Sequence, residues 1–420
     1  MSSDLKKLLT TSRQDWFGTP DNTRKIDARS SRVLPLQETL AKAKDLSKSV
    51  SLSRLGSIHG LDRVGIPCYT AVRGIAEPGN LAVMGGKGIT LDHAKTSALM
   101  ESIERHCGER NDRLGDKFSY SHSRQASLDP KRLILSKYST YQDSQLIEWW
   151  PATDLLKGES VWVPAAAVLN PYPESPYLFS ASSNGLASGN TYPEALLHAL
   201  YEVIERDGTS FAELLGLSKG IRLESIQDNE CLELISLFQT AGITVFVRWI
   251  EHSTGIPIFM VILDDPISKD PMLINSGYGC SLDPNIALSR ALTEAALSRA
   301  TVIAGARDNL AEEEIRRKYG YDVMHDALQN TLLVNKTEYE ISEVESVTND
   351  NITDDLHVLL GRLNRAGFEQ VYAASLELPE IGVPVVRAII PGMELCHIQR
   401  DRVGIRLREA FVNSTKLRSE

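Results

Sequence analysis

One short helical pattern, repeated three times, constrains this chain more than any other feature. Ser97–Arg105 reads SALMESIER, His198–Arg206 reads HALYEVIER, and Arg290–Arg299 reads RALTEAALSR. All three share an Ala-Leu-x-Glu core, and the first two continue to Glu-x-x-Glu-Arg. Residues three apart lie on one helix face, so Glu101/Glu104 and Glu202/Glu205 each set two carboxylates side by side. Like charges there destabilise a helix by roughly 0.2–0.5 kcal/mol. Two readings stand open: a solvated acidic face with Glu–Arg surface pairs, or oxygen ligands for a hard cation such as Mg²⁺, which commonly arrives with phosphates. Repetition in the same local context favours the second. The middle copy lies in Gly185–Asp207, which opens on small, turn-forming residues and then carries Glu194, Glu202 and Glu205 along one side of a helix.

A chain of 420 residues has material for two or three domains' worth of core. Its net charge of −10 disfavours a nucleic-acid partner, which calls for a basic surface. The odd number of cysteines (Cys68, Cys107, Cys231, Cys280, Cys396) includes no CxxC pair, which argues against a disulfide scaffold or zinc knuckle and for a reducing compartment. The histidines form neither HxxxH nor HExxH. No apolar run nears the ~20 residues of a membrane span, and the N-terminal MSSDLKKLLTTSRQDW has no signal-peptide core. A cytoplasmic protein is expected.

Residues 1–33, rich in Ser, Thr, Arg and Asp, are expected to form an N-terminal arm, either partly extended or disordered. From Pro35, LPLQETLAKAKDL has helical spacing, with Thr39 and Arg32 near the helix start. Residues 236–263 and 360–390 repeat a helix, an Ala-Gly stop, a β-branched strand, a turn, then Gly-Ile-Pro or Gly-Val-Pro opening a second strand. Residues 61–74 retain the Gly-Ile-Pro strand start. The expected class is therefore α+β, built from repeated helix–strand–strand units with mixed or antiparallel sheets packed by the acidic helices. The Gly-Ile-Pro strands at 61–86 and 256–280 run on into acidic helices, whereas the helix at 192–206 has a different lead-in. Met84-Gly85-Gly86-Lys87-Gly88 suggests a turn, either plain or offering N–H groups and an ammonium to a phosphate, although it is no P-loop. Residues 107–135 look like a surface excursion, 148–169 like strands carrying Trp149, Trp150 and Trp162, and 170–177 like a Pro-rich connector. The pair Arg307-Asp308 in GARDNL is either a helix terminator or a site element. A helix is expected near 311–329, a loop from there to about 350, and a basic helical tail beyond Gly404.

Together these motifs resemble the YcaO family of ATP-dependent enzymes that modify peptide backbones. The resemblance rests on Ser97-x3-Glu101-x2-Glu104-Arg105, on Ser188-x5-Glu194-Ala195 running to Glu202-x2-Glu205-Arg206, and on Arg290-Ala-Leu-x-Glu294, and it extends from about residue 30 to 400. The blocks LDRVGIP, SNGLASGNT and GARDNL resemble the stand-alone subgroup that works with a TfuA protein. The resemblance implies a YcaO-fold catalytic domain over 34–400 with a tail over 401–420, and an ATP site without a P-loop. That site would be built from Ser97, Glu101, Glu104, Glu194, Glu202, Glu205, Arg206 and Arg290, with Arg32 and Thr39 assigned by position before and in the first helix. Glu101, Glu104, Glu194, Glu202 and Glu205 would hold Mg²⁺. The third helix has Leu297 where the family normally has Gln, so Leu297 is left out of the site.

The reaction implied is amide activation: a nucleophile adds to a backbone carbonyl, the oxyanion takes the γ-phosphoryl of ATP, and phosphate leaves. External sulfide would give a thioamide; a neighbouring Cys, Ser or Thr of the substrate would give an azoline ring. The sequence ends NSTKLRSE rather than in the Pro-rich tail typical of cyclodehydratases, which favours thioamidation of a peptide or protein with a sulfur donor and a TfuA-type partner. A homodimer is also consistent with the resemblance. The competing expectations are an azoline-forming cyclodehydratase and a non-catalytic scaffold that binds nucleotide or peptide. No histidine stands in a motif that marks a general base.

Overall fold

The computed structural model describes residues 13–27, 30–123, 126–305 and 311–417. In chain order, α1 (Leu36–Asp45) leads to β1 (Leu52–Ser57), β2 (Cys68–Arg73), β3 (Val83–Lys87) and α2 (Leu91–Gly108). Then come β4 (Asp116–Ser119), β5 (Leu146–Asp154), β6 (Glu159–Pro164), β7 (Leu186–Ser188) and the long α3 (Tyr192–Leu215). These are followed by β8 (Lys219–Ile221), α4 (Asn229–Thr240), β9 (Thr244–Ile250), β10 (Ile258–Asp264), β11 (Asn275–Cys280) and α5 (Pro284–Ala304). The chain continues through α6 (Ala311–Tyr319), α7 (Tyr321–Asn330), β12 (Glu338–Tyr339), α8 (Ile352–Arg365), β13 (Tyr372–Ser375), β14 (Val385–Ile389) and α9 (Ile405–Leu417).

The strands form three sheets, ordered β1-β2-β3, β11-β10-β9-β8-β12 and β4-β5-β13-β14-β7, with β6 beside β5. Every pairing is antiparallel except β12 with β8. One unit accounts for all three sheets: a helix, then an antiparallel ladder of three strands, then an acidic helix. α1-β1-β2-β3-α2 and α4-β9-β10-β11-α5 are continuous in the chain. In the third unit α8, β13 and β14 are completed by β7 and α3 from far upstream, since β14 pairs with β7 through Val385–Ser188, Val386–Ala187 and Arg387–Leu186. That permutation explains the different lead-in of the middle acidic helix.

Local chemistry sets the boundaries. Each acidic helix starts on a side-chain cap: Thr90 accepts from the His93 N–H, Thr191 from that of Glu194, and Asp283 from those of Asn285 and Ile286. Gly242 and Gly367 follow α4 and α8 at φ 71° and 90°, the left-handed conformation that stops a helix cheaply only with glycine. Glycine also sets the helix-to-strand distance. An added Cβ at Gly277 or Gly279 would stand 2.1 Å from the Ala295 nitrogen or 2.0 Å from the Ala287 oxygen, so β11 and the alanines of α5 meet backbone to backbone. α3 is the most enclosed helix: Leu196, Leu197, Leu200 and Ile204 are fully buried among residues of the second and third sheets and α8.

Several expectations are corrected by packing. The described part of the N-terminal arm is only partly extended: Arg24 bridges Asn351 antiparallel, but helices Arg13–Phe17 and Pro20–Thr23 precede it, Trp16 and Phe17 are buried, and Trp16 meets the Tyr192 ring edge-on at 5.5 Å. Residues 107–135 are not a mere excursion, because they supply β4 and bury Leu128 and Leu133. Gly85-Gly86-Lys87 is strand, not turn: Gly86 lies where a Cβ would meet the α2 backbone at 2.2 Å, and Leu297 packs on Gly85. The tail is helical, and Arg406 clamps the buried Asp207 carboxylate through bonds of 2.6 and 3.0 Å. Gly305 caps α5 at φ 60°, but Arg307 and Asp308 lie outside the described residues. All five cysteines are buried, and none is in a disulfide.

Candidate functional site

Because the three units repeat, α2, α3 and α5 present their glutamates toward one another. Glu101, Glu202 and Glu294 occupy the same place in the three Ala-Leu-x-Glu cores. Burial first, and then the charges of Glu202 and Glu101, push Glu104 up to about 8 against the pull of Arg105. Burial raises Glu202 as well, opposed mainly by Arg206 and Arg105, with Glu294 adding repulsion. Glu205 rises to about 7 through burial, with Arg206 opposing and Glu294 reinforcing the shift. Burial also works to raise Glu294, but Lys87 on β3 bonds its carboxylate directly and, with Arg206 and Arg290, holds it below the ordinary range. Carboxylates from three helices therefore share one partly desolvated space.

Cationic side chains line the same space. Arg105 pairs with Glu101 at 3.0 Å. Arg206 comes within 3.9 Å of Glu205, and Arg387 on β14 exerts its charge on Glu202. The Nε atoms of Arg105, Arg206 and Arg290 are buried with no hydrogen-bond partner among the described residues. A buried guanidinium N–H without an acceptor is costly, so three of them around one space suit an anion.

A second group adjoins the first. Glu194 is fully buried and accepts from Arg32 at 2.8 Å, from the Val33 N–H at 3.2 Å, and from Asn190 at 3.1 and 3.2 Å. Thr39 donates to the Asn190 carbonyl at 3.1 Å. Arg290 reaches His198 Nδ1 at 3.2 Å. Burial, Arg32 and Arg290 hold this imidazole well below its usual range, and its Nε2 is buried without a partner.

The structure thus brings Glu101, Glu104, Glu202 and Glu205 together with Arg206 and places Arg32, Thr39, Glu194 and Arg290 beside them. Ser97 sits half-buried on α2, one turn before Glu101. Ser188 supports the acidic pair, donating its N–H to Glu104 at 3.1 Å and its hydroxyl to the Met100 carbonyl at 3.2 Å. Among the described residues no three or more His, Cys, Asp or Glu side chains form a ready-made metal cage. The donors nevertheless suit Mg²⁺: raised, mutually repelling carboxylates gain from a hard cation, and the free guanidinium N–H groups suit the phosphates it would bridge. Glu194, already satisfied by Arg32 and Asn190, is the least available of the expected metal ligands.

The sequence motifs include Glu294 and Arg105 without assigning them to the site and offer Lys87 only as an ammonium for a phosphate, while Arg387, His198 and His397 go unremarked. Aligning the third copy with the first two points to Glu294, and the Gly-Gly-Lys-Gly run points to Lys87. Nothing local marks Arg387 or His397, which reach the site only through the third sheet and the loop after it.

Comparison with known proteins gives a family and a fold. A family model described as YcaO cyclodehydratase, ATP- and Mg²⁺-binding, matches residues 85–394. A protein of Methanothermobacter thermautotrophicus is 38% identical over 382 residues, covering 89% of this chain and 98% of the relative. A Rhizobium leguminosarum bv. trifolii protein in the tfuA 3′ region is 30% identical over 381 residues, covering 88% and 90%. The structure of YcaO from Methanopyrus kandleri bound with AMPPCP and Mg²⁺ superposes with a TM-score of 0.76 at 25% identity, covering 91% of this chain and 98% of that one.

Proposed function

The chain belongs to the YcaO family, and from that premise we propose that it uses ATP and Mg²⁺ to phosphorylate a peptide-backbone amide oxygen and replace it with sulfur, forming a thioamide. The single observation that carries the ATP chemistry is the convergence of Glu104, Glu202 and Glu205, raised by burial, with Glu294, held down by Lys87 and arginines, and with guanidinium N–H groups that lack an acceptor among the described residues. Mg²⁺ would be held by Glu101, Glu104, Glu202 and Glu205, with Glu294 and Glu194 at the margins, and would supply charge neutralisation between carboxylates and phosphates. Arg206, Arg290 and Arg105 would brace phosphate oxygens. Arg32 and Thr39 would position the Asn190–Glu194 edge of the site through the bonds they already make.

A TfuA-type partner and an external sulfur donor complete this reading. The resemblance of three sequence blocks to the TfuA-associated subgroup and the tfuA neighbourhood of one relative support it. The family description names cyclodehydratase chemistry, so azoline formation from a neighbouring Cys, Ser or Thr is the second reading. A non-catalytic scaffold had Leu297 in its favour; in the structure that leucine packs on Gly85 in the space between β3 and α5. The test is a comparison of peptide maps from the source organism with and without the gene. A peptide that loses a sulfur-for-oxygen exchange on deletion supports thioamidation. One that regains a water supports the azoline reading, and unchanged maps refute both.

A further inference from the structure

His397 lies in the loop after β14, outside every motif above, and reaches the nucleotide end of the site. Its Nε2 is 3.4 Å from Arg206 Nη1, its Nδ1 is 3.4 Å from Ser210 Oγ, and its backbone N–H points at the same Ser210 oxygen at 3.3 Å. Hydrogen-bond accounting fixes the proton. Ser210 has one hydroxyl hydrogen and spends it on the Arg206 carbonyl at 2.8 Å. Ser210 Oγ can then only accept, so Nδ1 carries the imidazole proton. Arg206 can only donate, so Nε2 is a bare lone pair facing a guanidinium. Ser210 lies on the same helix as Arg206, one turn on, and orients the ring as a fixed second partner.

We propose that His397 is the proton acceptor of the reaction: when Arg206 turns to the phosphates of bound nucleotide, it frees the His397 Nε2 lone pair, which takes the proton of the attacking S–H or O–H group. This rests on the amide-activating reading above. The bond formed is S–C or O–C, the carbonyl π pair moves to oxygen and on to the γ-phosphorus, and ADP leaves. When the C–O bond breaks, a sulfur pair closes C=S in a thioamide or the nitrogen pair closes C=N in an azoline; the departing phosphate takes the proton held at Nε2, and in the azoline case the amide N–H proton passes to water. Arg206 suits the switching role because its buried Nε has no partner among the described residues. It therefore gains by moving to an anion.

The surroundings keep the base neutral until then. Burial, Arg206 and Arg400 push the imidazole down to about 3, while Glu294 pulls the other way. Tyr278 of β11 meets the ring edge-on at 6.4 Å, and its hydroxyl is tied to Glu213 of α3. Nucleotide phosphates drawing off Arg206 would remove one of the opposing cations and strengthen the base at the moment it is needed.

The experiment has two arms. In the first, ¹⁵N-histidine NMR of the full chain, with His397→Gln to assign the signal, is recorded before and after adding AMPPCP and MgCl₂. The expected result is a neutral Nδ1–H tautomer whose Nε2 signal shifts on ligand addition. An Nε2–H tautomer, or a signal that the ligand leaves in place, overturns the proposal. In the second arm the deletion strain is complemented with His397→Gln and mapped for modified peptide. The expected loss of product is roughly 10²–10⁴-fold relative to wild type, with AMPPCP affinity within about threefold. Product at the wild-type level overturns the proposal while leaving the amide-activating reading intact. Unmodified peptide in the strain complemented with wild type overturns both.

Discussion

At the scale of single residues, the site is defined by carboxylates that folding makes uncomfortable. Glu202 stands between the other acidic side chains and three arginines, so its removal should take away a metal ligand without opening the core. Glu202→Ala is expected to lower ATP turnover by roughly 10²-fold or more, read as phosphate release, while its unliganded melting temperature equals or exceeds that of the wild type. A collapse in melting temperature would mean that Glu202 is structural. Glu104 gives a pH signature. Its folded value of about 8 lies above the unfolded 4.5, so the native state keeps a proton that the unfolded chain releases. The stability this group contributes is complete below 4.5 and is lost as pH rises through about 8. Glu104→Gln should therefore hold its melting temperature where wild type declines across that window, and Mg²⁺ with nucleotide should flatten the wild-type curve. Identical slopes for the two proteins would remove Glu104 from the shared space. Residues in the repeated motif were legible because the spacing of i and i+3 fixes a helix face before any tertiary contact exists. Arg387 and His397 were not, and Lys87 was hinted at only by its glycine run, since what matters about each is a partner on an acidic helix more than a hundred residues away.

At the scale of elements, the repeat foretold two complete units, and their boundaries follow from Thr90, Asp283 and the left-handed Gly242 and Gly367. The third unit was hidden because its ladder is assembled from β13, β14 and the distant β7, and a window sliding along the chain cannot see a permuted neighbour. The arm was misread for a related reason: its polar composition masks Trp16 and Phe17, whose partners lie on α3, α8 and β5. Close contact between β11 and α5 is what delivers Arg290 and Glu294 to the site. Gly277→Ala would force a Cβ to within 2.1 Å of the Ala295 nitrogen, and backbone cannot yield as a side-chain tip can. The expected cost is about 1–3 kcal/mol in chemical denaturation, accompanied by weaker nucleotide binding as α5 is pushed outward. A variant that melts lower yet binds AMPPCP normally would show that the site does not depend on where α5 sits.

At the scale of the whole molecule, three equivalent units close one site in which six glutamates meet as many basic side chains, with Glu104 keeping its proton up to about pH 8. Glu101, Glu104, Glu194, Glu202, Glu205 and Glu294 face Arg32, Lys87, Arg105, Arg206, Arg290 and Arg387. A nucleotide triphosphate carrying about four negative charges would unbalance that space. Magnesium alone would meet carboxylates that Lys87 and the arginines have partly neutralised. Each ion is admitted cheaply only in the company of the other, so their binding should be strongly cooperative. Thermal unfolding of the full chain tests this directly. AMPPCP with MgCl₂ at 100 times the joint Kd should stabilise the protein by about 2.7 kcal/mol, and either component alone at the same concentration by a small fraction of that. Equal stabilisation by AMPPCP without magnesium would mean that the arginines and Lys87 suffice to hold the phosphates. The repeated glutamates would then be buried partners of those cations, and the repeat would mark packing, not metal binding.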